Sequence, residues 1–174
     1  HCVTRRQRQM CIRDSTYNEL LDKTIKIASA LKSHGVNKGD RVLIYMPMIP
    51  EAVASMLACA RIGAVHVVVF GGFAPNELAT RINDAKPKVI IAGSCGIEPG
   101  KVIEYKPMID KAIDLAKYKV NVCFIHQRAL CEAKLINNRD FNLQDLMDSA
   151  GSVEPVPVKS TDPLYILYTS GTTG

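Results

Sequence analysis

The first regular pattern along the chain is an amphipathic helix that begins after Thr16. Thr16 and Glu19 form a T-x-x-E capping box, in which the hydroxyl accepts the third amide N–H and the carboxylate accepts the N–H of the cap. Apolar side chains then recur at spacings of three and four, while charged side chains fill the opposite face. Gly35 supplies the left-handed residue that commonly ends a helix. The pattern predicts a helix with one buried and one solvated face.

Short apolar runs and amphipathic helices then alternate along the chain. Arg41–Met46 lacks apolar–polar alternation, so it predicts a strand that is buried on both faces. The further predicted strands are 65–70, 88–92, 120–125 and 164–169, and the further predicted helices are 50–62, 76–85, 106–118 and 143–149. Helical crossovers join parallel neighbours with a right-handed turn. The sequence therefore predicts an α/β fold, an open and mostly parallel sheet with helices on both faces and ligands at the carboxyl ends of the strands.

Composition and charge fit one globular domain and exclude two functional classes. The chain has 174 residues, is 47% hydrophobic and carries a net charge of +5. Residues 1–15 hold four arginines against one aspartate, so the basic side chains form no aromatic-interleaved stripe on a folded face. The longest mostly apolar run, 64–74, is far below the roughly 18 residues of a membrane-spanning helix. We therefore expect no nucleic-acid binding and no membrane insertion.

The cysteines and histidines do not form a metal or nucleophile pattern. The six cysteines include no CxxC pair and no His–Cys cluster with metal-ligand spacing. Cys59 and Cys123 fall in apolar segments, where a free thiol acts as a small hydrophobe. His66 and His126 have no Ser, Cys or Asp at a spacing that indicates a catalytic triad, so packing or strand-end roles are expected. We therefore expect reduced cysteines in an intracellular protein, and no structural zinc.

Two arginines and three methionines are expected to be structural. Arg61 and Arg81 lie on predicted helices, where they would cap the helix or pair at the surface. Met46, Met48 and Met56 are interpreted as core residues, because an unbranched thioether fills irregular gaps. None of the five is assigned to a site.

The last predicted strand runs directly into a loop of serine, threonine and glycine at 170–174. Glycines allow a ligand to approach the backbone closely, and successive amides and hydroxyls can donate to anionic oxygens. The loop lacks the Gly-Lys-Ser or Gly-Lys-Thr of a Walker A motif. Its composition predicts a phosphate-binding loop, although an ordinary glycine-rich turn has the same residue types.

Several stretches resemble the adenylate-forming acyl-CoA synthetase superfamily. YTSGTTG at 168–174 looks like the phosphate loop of that superfamily. The stretches similar to its acetyl- and propionyl-CoA synthetase branch are KGDRV at 38–42, YMPMIPEA at 45–52, LACARIGA at 57–64 and FGGF at 70–73. Their order and spacing also fit, and the similarity covers 16–174. GIEPGK at 96–101 followed by EYKP at 104–107 looks closer to the propionyl-type enzymes.

The resemblance implies a two-step ligation of a small carboxylic acid. The carboxylate attacks the α-phosphorus of ATP to give an acyl-adenylate and pyrophosphate, and the CoA thiol then displaces AMP. ATP with Mg²⁺ and CoA as co-substrate are therefore implied. Fixed amides and hydroxyls aimed at the β- and γ-phosphates would stabilise the leaving pyrophosphate. The residues that the resemblance assigns to the ATP phosphates are Thr169, Ser170, Gly171, Thr172, Thr173 and Gly174.

The same resemblance implies a CoA-binding region around the FGGF stretch. Phe70, Gly71 and Gly72 would line the approach of CoA, since glycines let a thin pantetheine arm pass close to the backbone; the residues themselves equally fit a strand-ending turn. Acetyl-type relatives have arginines where this chain has Glu98 and Lys101. Lys101 can still offer a point charge to a phosphate, whereas Glu98 would repel it. Lys101 is therefore the fourth expected CoA-binding residue.

The resemblance also implies an incomplete enzyme. Relatives in the family are several times longer, so 16–174 is expected to be part of the N-terminal AMP-binding domain, with no catalytic residue of its own and no activity in isolation. Residues 1–15 are interpreted as a leader that is disordered or artefactual, because TRRQRQMCIRDS resembles translated sequencing-adapter read-through. Exposed sheet edges and apolar faces predict poor solubility of the isolated chain.

Two alternatives remain open at the level of sequence. The first is a non-catalytic remnant that binds a nucleotide or phosphate with the same loop. The second is a ligase for another small acid than propionate, such as acetate, butyrate or an acetoacetate-like substrate. The expected location is intracellular, in the cytoplasm or the mitochondrial matrix.

Overall fold

The computed structural model describes residues 14–98 and 100–169, which form eight strands and five helices. The strands are β1 (Arg41–Met46), β2 (Val65–Phe70), β3 (Val89–Gly93), β4 (Cys95–Glu98), β5 (Lys101–Glu104), β6 (Cys123–His126), β7 (Asp140–Asn142) and β8 (Tyr165–Ile166). The helices are α1 (Tyr17–Ser33), α2 (Pro50–Arg61), α3 (Pro75–Ala85), α4 (Lys106–Leu115) and α5 (Leu143–Asp148). Six strands form one sheet in the order β7-β6-β3-β1-β2-β8, in which every neighbouring pair is parallel, and β4 and β5 form an antiparallel hairpin.

The start of α1 follows directly from its sequence. Oγ1 of Thr16 accepts the N–H of Glu19 at 3.2 Å, and the Glu19 carboxylate accepts the N–H of Thr16 at 2.7 Å. The predicted capping box is therefore confirmed. Beyond the helix, Gly35 has a φ of +78°, which a residue without a Cβ adopts at little cost.

Helices cover both faces of the sheet, as the sequence predicts. α1, α2 and α5 pack together on one face, and α3 packs against α4 on the other. Val42, Ile44 and Met46 of β1 enter the first core, whereas Leu43 and Tyr45 enter the second. Both sets are buried, which explains why this strand reads as a continuous apolar run. The predicted fold class is confirmed.

The element boundaries differ modestly from the predicted ones, and two features were missed. β1 and β2 have the predicted bounds, and the ends of the other predicted strands and helices shift by at most three residues. The β4–β5 hairpin and β7 were not predicted, because their strands have only four and three residues, too few for a periodic pattern to be recognised. The extended segment 153–158 forms no strand with the described residues; Val153 and Val156 instead bond with Arg61 at the end of α2.

Of the three methionines expected in the core, one is not there. Met46 is buried and Met56 packs against the core, but Met48 is 83% exposed. Met48 lies in the connection between β1, which ends at Met46, and α2, which begins at Pro50. The core prediction for Met48 is wrong, because this strand-to-helix connection leaves its side chain exposed among the described residues.

The topology gives the sheet a switch point between β1 and β3. All six strands are parallel, so their carboxyl ends meet at the same edge. The connection from β1 passes through α2 on one face, whereas that from the neighbouring β3 leads to α4 on the other. Adjacent strands whose connections diverge leave a cleft between them, which is where open α/β sheets bind ligands. No helix within 14–98 and 100–169 is long and apolar enough to cross a membrane.

Candidate functional site

The FGGF turn lies at the carboxyl end of β2 and is held from beneath by a buried tyrosine. Phe70 is the last residue of β2 and is 63% exposed. The Tyr45 hydroxyl accepts the N–H of Gly72 at 3.1 Å and donates to the carbonyl of Phe73 at 2.9 Å. Burial raises the pKa of Tyr45, so the hydroxyl remains a donor at neutral pH. Gly72 has a φ of +117°, a conformation that favours glycine.

A second tyrosine explains why two glycines are needed near this turn. A Cβ on Gly71 would lie 2.6 Å from Cε2 of Tyr105, and a Cβ on Gly96 would lie 2.0 Å from its hydroxyl oxygen. Tyr105 is only 3% exposed, and its ring centroid lies 5.1 Å from that of Tyr45. Tyr105 therefore locks the β4–β5 hairpin onto the glycine turn. The requirement for glycine at 71 comes from this close approach.

The open side of the turn is at Gly72. A Cβ on Gly72 would meet, among the described atoms, only the edge of the Phe70 ring at 3.9 Å. Glycine at 72 therefore leaves backbone accessible beside an exposed aromatic ring, which fits the passage of a thin, flexible ligand. At the tip of the hairpin, Glu98 and Lys101 are register partners on β4 and β5, and both are exposed. Opposite charges facing each other across the strands partly neutralise one another.

The strand that leads into the predicted phosphate loop lies next to this turn. β8 pairs with β2, with Tyr165 opposite His66 and Ile166 opposite Val67. The pairing is parallel, so the chain after Ile166 runs toward the same edge as the FGGF turn. Thr169 is exposed there. Ser170, Gly171, Thr172, Thr173 and Gly174 lie outside the described residues.

Helix α3 anchors the segment before the loop. The Tyr168 hydroxyl donates to the Asp84 carboxylate at 2.6 Å, and burial together with this bond raises the pKa of Tyr168. The Arg81 guanidinium lies 5.1 Å from the Tyr168 ring centroid and 4.6 Å from that of Phe73. Arg81 also pairs with Glu77 at 3.0 Å, which confirms the predicted surface pairing. Sequence reasoning missed the contacts with the two rings, because Phe73 and Tyr168 are far apart along the chain.

An ionic cluster lies at the same edge on the other side of β1. Glu51, in the first turn of α2, contacts Lys23 at 2.7 Å and the Nε2 of His126 at 3.7 Å. Burial lowers the pKa of His126 and outweighs the opposing effect of Glu51. His126 ends β6, as predicted. The predicted packing role of His66 is also confirmed: its ring lies 5.7 Å from that of Tyr165, and its Nδ1 is buried without a hydrogen-bond partner among the described residues.

The described part of the chain offers no metal centre. No group of three or more His, Cys, Asp or Glu side chains within 14–98 and 100–169 could hold a metal ion. Cys59 and Cys123 are buried in the two apolar cores, and burial raises the pKa of each to about 12. Both are therefore protonated at neutral pH and act as small apolar side chains, as the sequence predicts.

We expect the Tyr45→Phe substitution to loosen the glycine turn. Removing the hydroxyl leaves the Gly72 N–H and the Phe73 carbonyl without their partner, so the loss in unfolding free energy should be about 1–2 kcal/mol. Urea denaturation measures the loss, and hydrogen exchange at Gly72 localises it. The control is Tyr17→Phe, at a residue that is 92% exposed, which should change stability by less than about 0.5 kcal/mol. Equal stability of the two variants would show that Tyr45 does not brace the turn.

Comparison with known proteins identifies the family. Residues 4–174 match the family model described as AMP-binding enzyme, so the chain belongs to that family. It is 51% identical over 160 residues to human acyl-CoA synthetase short-chain family member 3, mitochondrial, covering 91% of this chain and 23% of that protein. It is 48% identical over 163 residues to acetyl-coenzyme A synthetase of Agrobacterium fabrum, covering 91% of this chain and 25% of that protein.

A third relative is an uncharacterised protein of Pseudomonas aeruginosa, which is 55% identical over 159 residues, covering 91% of this chain and 25% of that protein. The chain thus spans about a quarter of the length of the curated relatives it matches. The resemblance to acyl-CoA synthetases is confirmed. The family match begins inside the predicted leader 1–15, and the domain boundary after residue 15 stays a prediction.

Proposed function

We propose that this chain is part of an AMP-forming acid–CoA ligase that acts on a short-chain carboxylic acid, propionate or acetate. The observation that carries the proposal is the placement of two segments at one sheet edge. β8 brings Thr169 toward the edge at which β2 ends in Phe70 and the glycine turn. The loop assigned to ATP and the turn assigned to CoA would then lie at the same sheet edge, so that the acyl group activated on AMP and the CoA thiol can be brought together. The names of the similar acyl- and acetyl-CoA synthetases support the same class.

In the proposed first step, the loop binds the outer phosphates of ATP. A carboxylate oxygen of the acid bonds to the α-phosphorus, and the bond from that phosphorus to the bridging oxygen breaks to release pyrophosphate. Negative charge grows on the leaving group, so hydroxyls and amides held toward it lower the barrier. The donors proposed are Thr169, Ser170, Thr172 and Thr173, while Gly171 and Gly174 make room for the phosphates. Mg²⁺ would accompany ATP as part of the substrate.

In the proposed second step, the thiolate of CoA attacks the acyl carbon and AMP leaves with the oxygen that linked the two. Phe70 and Gly72 would guide the pantetheine arm past accessible backbone at the end of β2, and Gly71, buried against Tyr105, would set the shape of this CoA-binding turn. Lys101 would offer its charge to a CoA phosphate, although its register partner Glu98 offsets part of that charge. Position 98 carries glutamate where acetyl-type relatives have an arginine. This hairpin would therefore bind the CoA phosphates more weakly than in those relatives.

Three further proposals concern the whole protein. Residues 16–174 form part of the AMP-binding domain, and 1–15 are a leader outside it. The 174-residue chain by itself catalyses neither half-reaction, since it spans about a quarter of its relatives' length. The protein acts inside the cell, in the cytoplasm or the mitochondrial matrix; the human relative named as mitochondrial supports the latter.

The test uses the full-length protein that carries this chain. Wild type should catalyse pyrophosphate exchange into ATP that depends on propionate or acetate, and it should form the acyl-CoA when CoA is added. Thr172→Val removes one proposed donor to an anionic oxygen, so kcat/KM for exchange should fall by about tenfold to 100-fold. Thr161→Val alters an exposed threonine before β8 and should change kcat/KM by less than about twofold.

The possible outcomes separate the ligase from its rivals. Pyrophosphate exchange that requires butyrate or an acetoacetate-like acid would support an acid–CoA ligase but show that the substrate is not propionate or acetate. Binding of ATP or pyrophosphate without exchange for any small acid would favour a non-catalytic phosphate-binding protein. Acyl-CoA formation by the 174-residue chain alone would contradict its proposed inactivity.

A further inference from the structure

Arg81 lies between two aromatic rings that belong to different parts of the proposed site. Its guanidinium carbon is 4.6 Å from the Phe73 ring centroid and 5.1 Å from that of Tyr168. Phe73 closes the FGGF turn, and Tyr168 immediately precedes Thr169, the first residue assigned to the phosphate loop. The Arg81 side chain is only 16% exposed. Such partial desolvation strengthens the attraction between a guanidinium and the face of a ring.

Each partner of Arg81 is held in place by a further contact. The Phe73 carbonyl accepts from the buried Tyr45 hydroxyl at 2.9 Å. The Tyr168 hydroxyl donates to Asp84, which is three residues after Arg81 and therefore on the same face of α3. Helix α3 thus contacts Tyr168 at two points and Phe73 at one. The arginine is itself oriented on the helix, since its guanidinium donates to the Glu77 carbonyl at 2.9 Å.

We propose that Arg81 is a positioning residue that couples the FGGF turn, assigned to CoA, to Tyr168 and Thr169, where the segment assigned to ATP begins. The inference rests on the proposed ligase function for what the two segments bind. Arg81 acts without touching either substrate, by keeping both segments in their binding-competent arrangement. Loss of that arrangement lowers the competent fraction, and apparent affinity falls by the same factor.

The kinetic test compares three variants of the full-length protein. Arg81→Met keeps an unbranched side chain on the helix but removes the charge and the planar group, so both cation–π contacts are lost. The KM for ATP in pyrophosphate exchange, which needs no CoA, and the KM for CoA in thioester formation should each rise about threefold to tenfold, while kcat changes less. Arg81→Lys keeps the charge without the flat guanidinium and should give smaller rises in both KM values.

The matched control is Glu77→Gln. Glu77 is exposed and pairs with Arg81, but the variant leaves the guanidinium between its two rings. An ordinary surface ion pair contributes little, so both KM values should stay within about twofold of wild type. A rise in only one KM for the Arg81 variants, or equal rises for Glu77→Gln, would overturn the coupling role.

Hydrogen exchange provides a readout that does not depend on catalysis. Without substrates, amide exchange at 70–73 and at 168–169 should accelerate together in Arg81→Met, less in Arg81→Lys and not in Glu77→Gln. Unchanged exchange at either segment in both Arg81 variants overturns the proposal. If hydrogen exchange responds as expected but neither the wild type nor any variant shows pyrophosphate exchange that depends on a carboxylic acid, the ligase function has failed and the positioning role stands. If wild type is active and both Arg81 variants match it, the positioning role has failed and the ligase function stands.

Discussion

Replacing Asp140 with alanine is expected to lower the unfolding free energy by about 3 kcal/mol, the lower end of the range for breaking a buried ion pair. The Asp140 side chain is completely buried, with its carboxylate 2.9 Å from Nζ of Lys106 and 2.7 Å from Nε of Arg139. It also accepts the N–H of Ile136 at 2.8 Å. Without it, the one carboxylate left beside the buried Lys106 among the described residues is Asp110, which also contacts Arg139. The network fastens β7 at the sheet edge to α4.

The same carboxylate should make stability depend on pH in the acid range. Burial raises the pKa of Asp140, but its hydrogen bonds with Arg139 and Lys106 outweigh burial and hold the pKa below the ordinary value of 3.8. A group with a lowered pKa stabilises the fold above its unfolded pKa, and that stabilisation is lost as the pH falls through the folded pKa. Urea denaturation of wild type should therefore show falling stability below about pH 4, with a shallower fall in Asp140→Asn.

Asp114→Ala is the matched control for this prediction. Asp114 is exposed on α4, so its removal should change the unfolding free energy at pH 7 by less than about 0.5 kcal/mol. A loss as large in Asp114→Ala as in Asp140→Ala would show that the buried network does not stabilise the fold. Parallel acid profiles for wild type and Asp140→Asn would assign the acid sensitivity to other carboxylates.

Replacing Gly96 with alanine is expected to cost about 1–3 kcal/mol of unfolding free energy, because it overfills a packed interior. The new Cβ would lie 2.0 Å from the hydroxyl oxygen and 2.5 Å from Cζ of Tyr105, so the ring or the hairpin must move. Gly96 has no positive φ, and the cost therefore comes from overlap and not from backbone strain. Since the same ring also packs on Gly71, its displacement should loosen the glycine turn as well.

The measurement is a double-mutant cycle in urea denaturation with Tyr105→Leu. A smaller side chain removes the atoms that overlap, so Gly96→Ala should cost less in the Tyr105→Leu background, with a coupling of at least about 0.5 kcal/mol. The control is Gly151→Ala, where the added Cβ would meet no described atom within 4 Å and the loss should be under about 0.5 kcal/mol. Additive effects of the Gly96 and Tyr105 changes would contradict the packing argument.

The glycines illustrate how far the sequence predicts the candidate site. Contiguous stretches such as FGGF and YTSGTTG indicate both proposed binding segments and the family, because motif residues are neighbours along the chain. The reason for glycine at 71 was not predictable from the sequence. The ring that approaches it belongs to Tyr105, which follows β3 and the hairpin along the chain. The hairpin itself was missed because its strands have only four residues each, too few for a periodic pattern to be recognised.

The sequence by itself determined the α/β class, the order and approximate bounds of most elements, and the membership of the AMP-binding enzyme family. These depend on local periodicity, caps and contiguous motifs, which are present before any folding occurs. Only the tertiary structure decided that Tyr45 braces the glycine turn, that Asp140 neutralises Lys106, and that Arg81 contacts a tyrosine held by a bond spanning 84 positions. Such contacts depend on strand register and close packing between distant residues, and no local pattern encodes them.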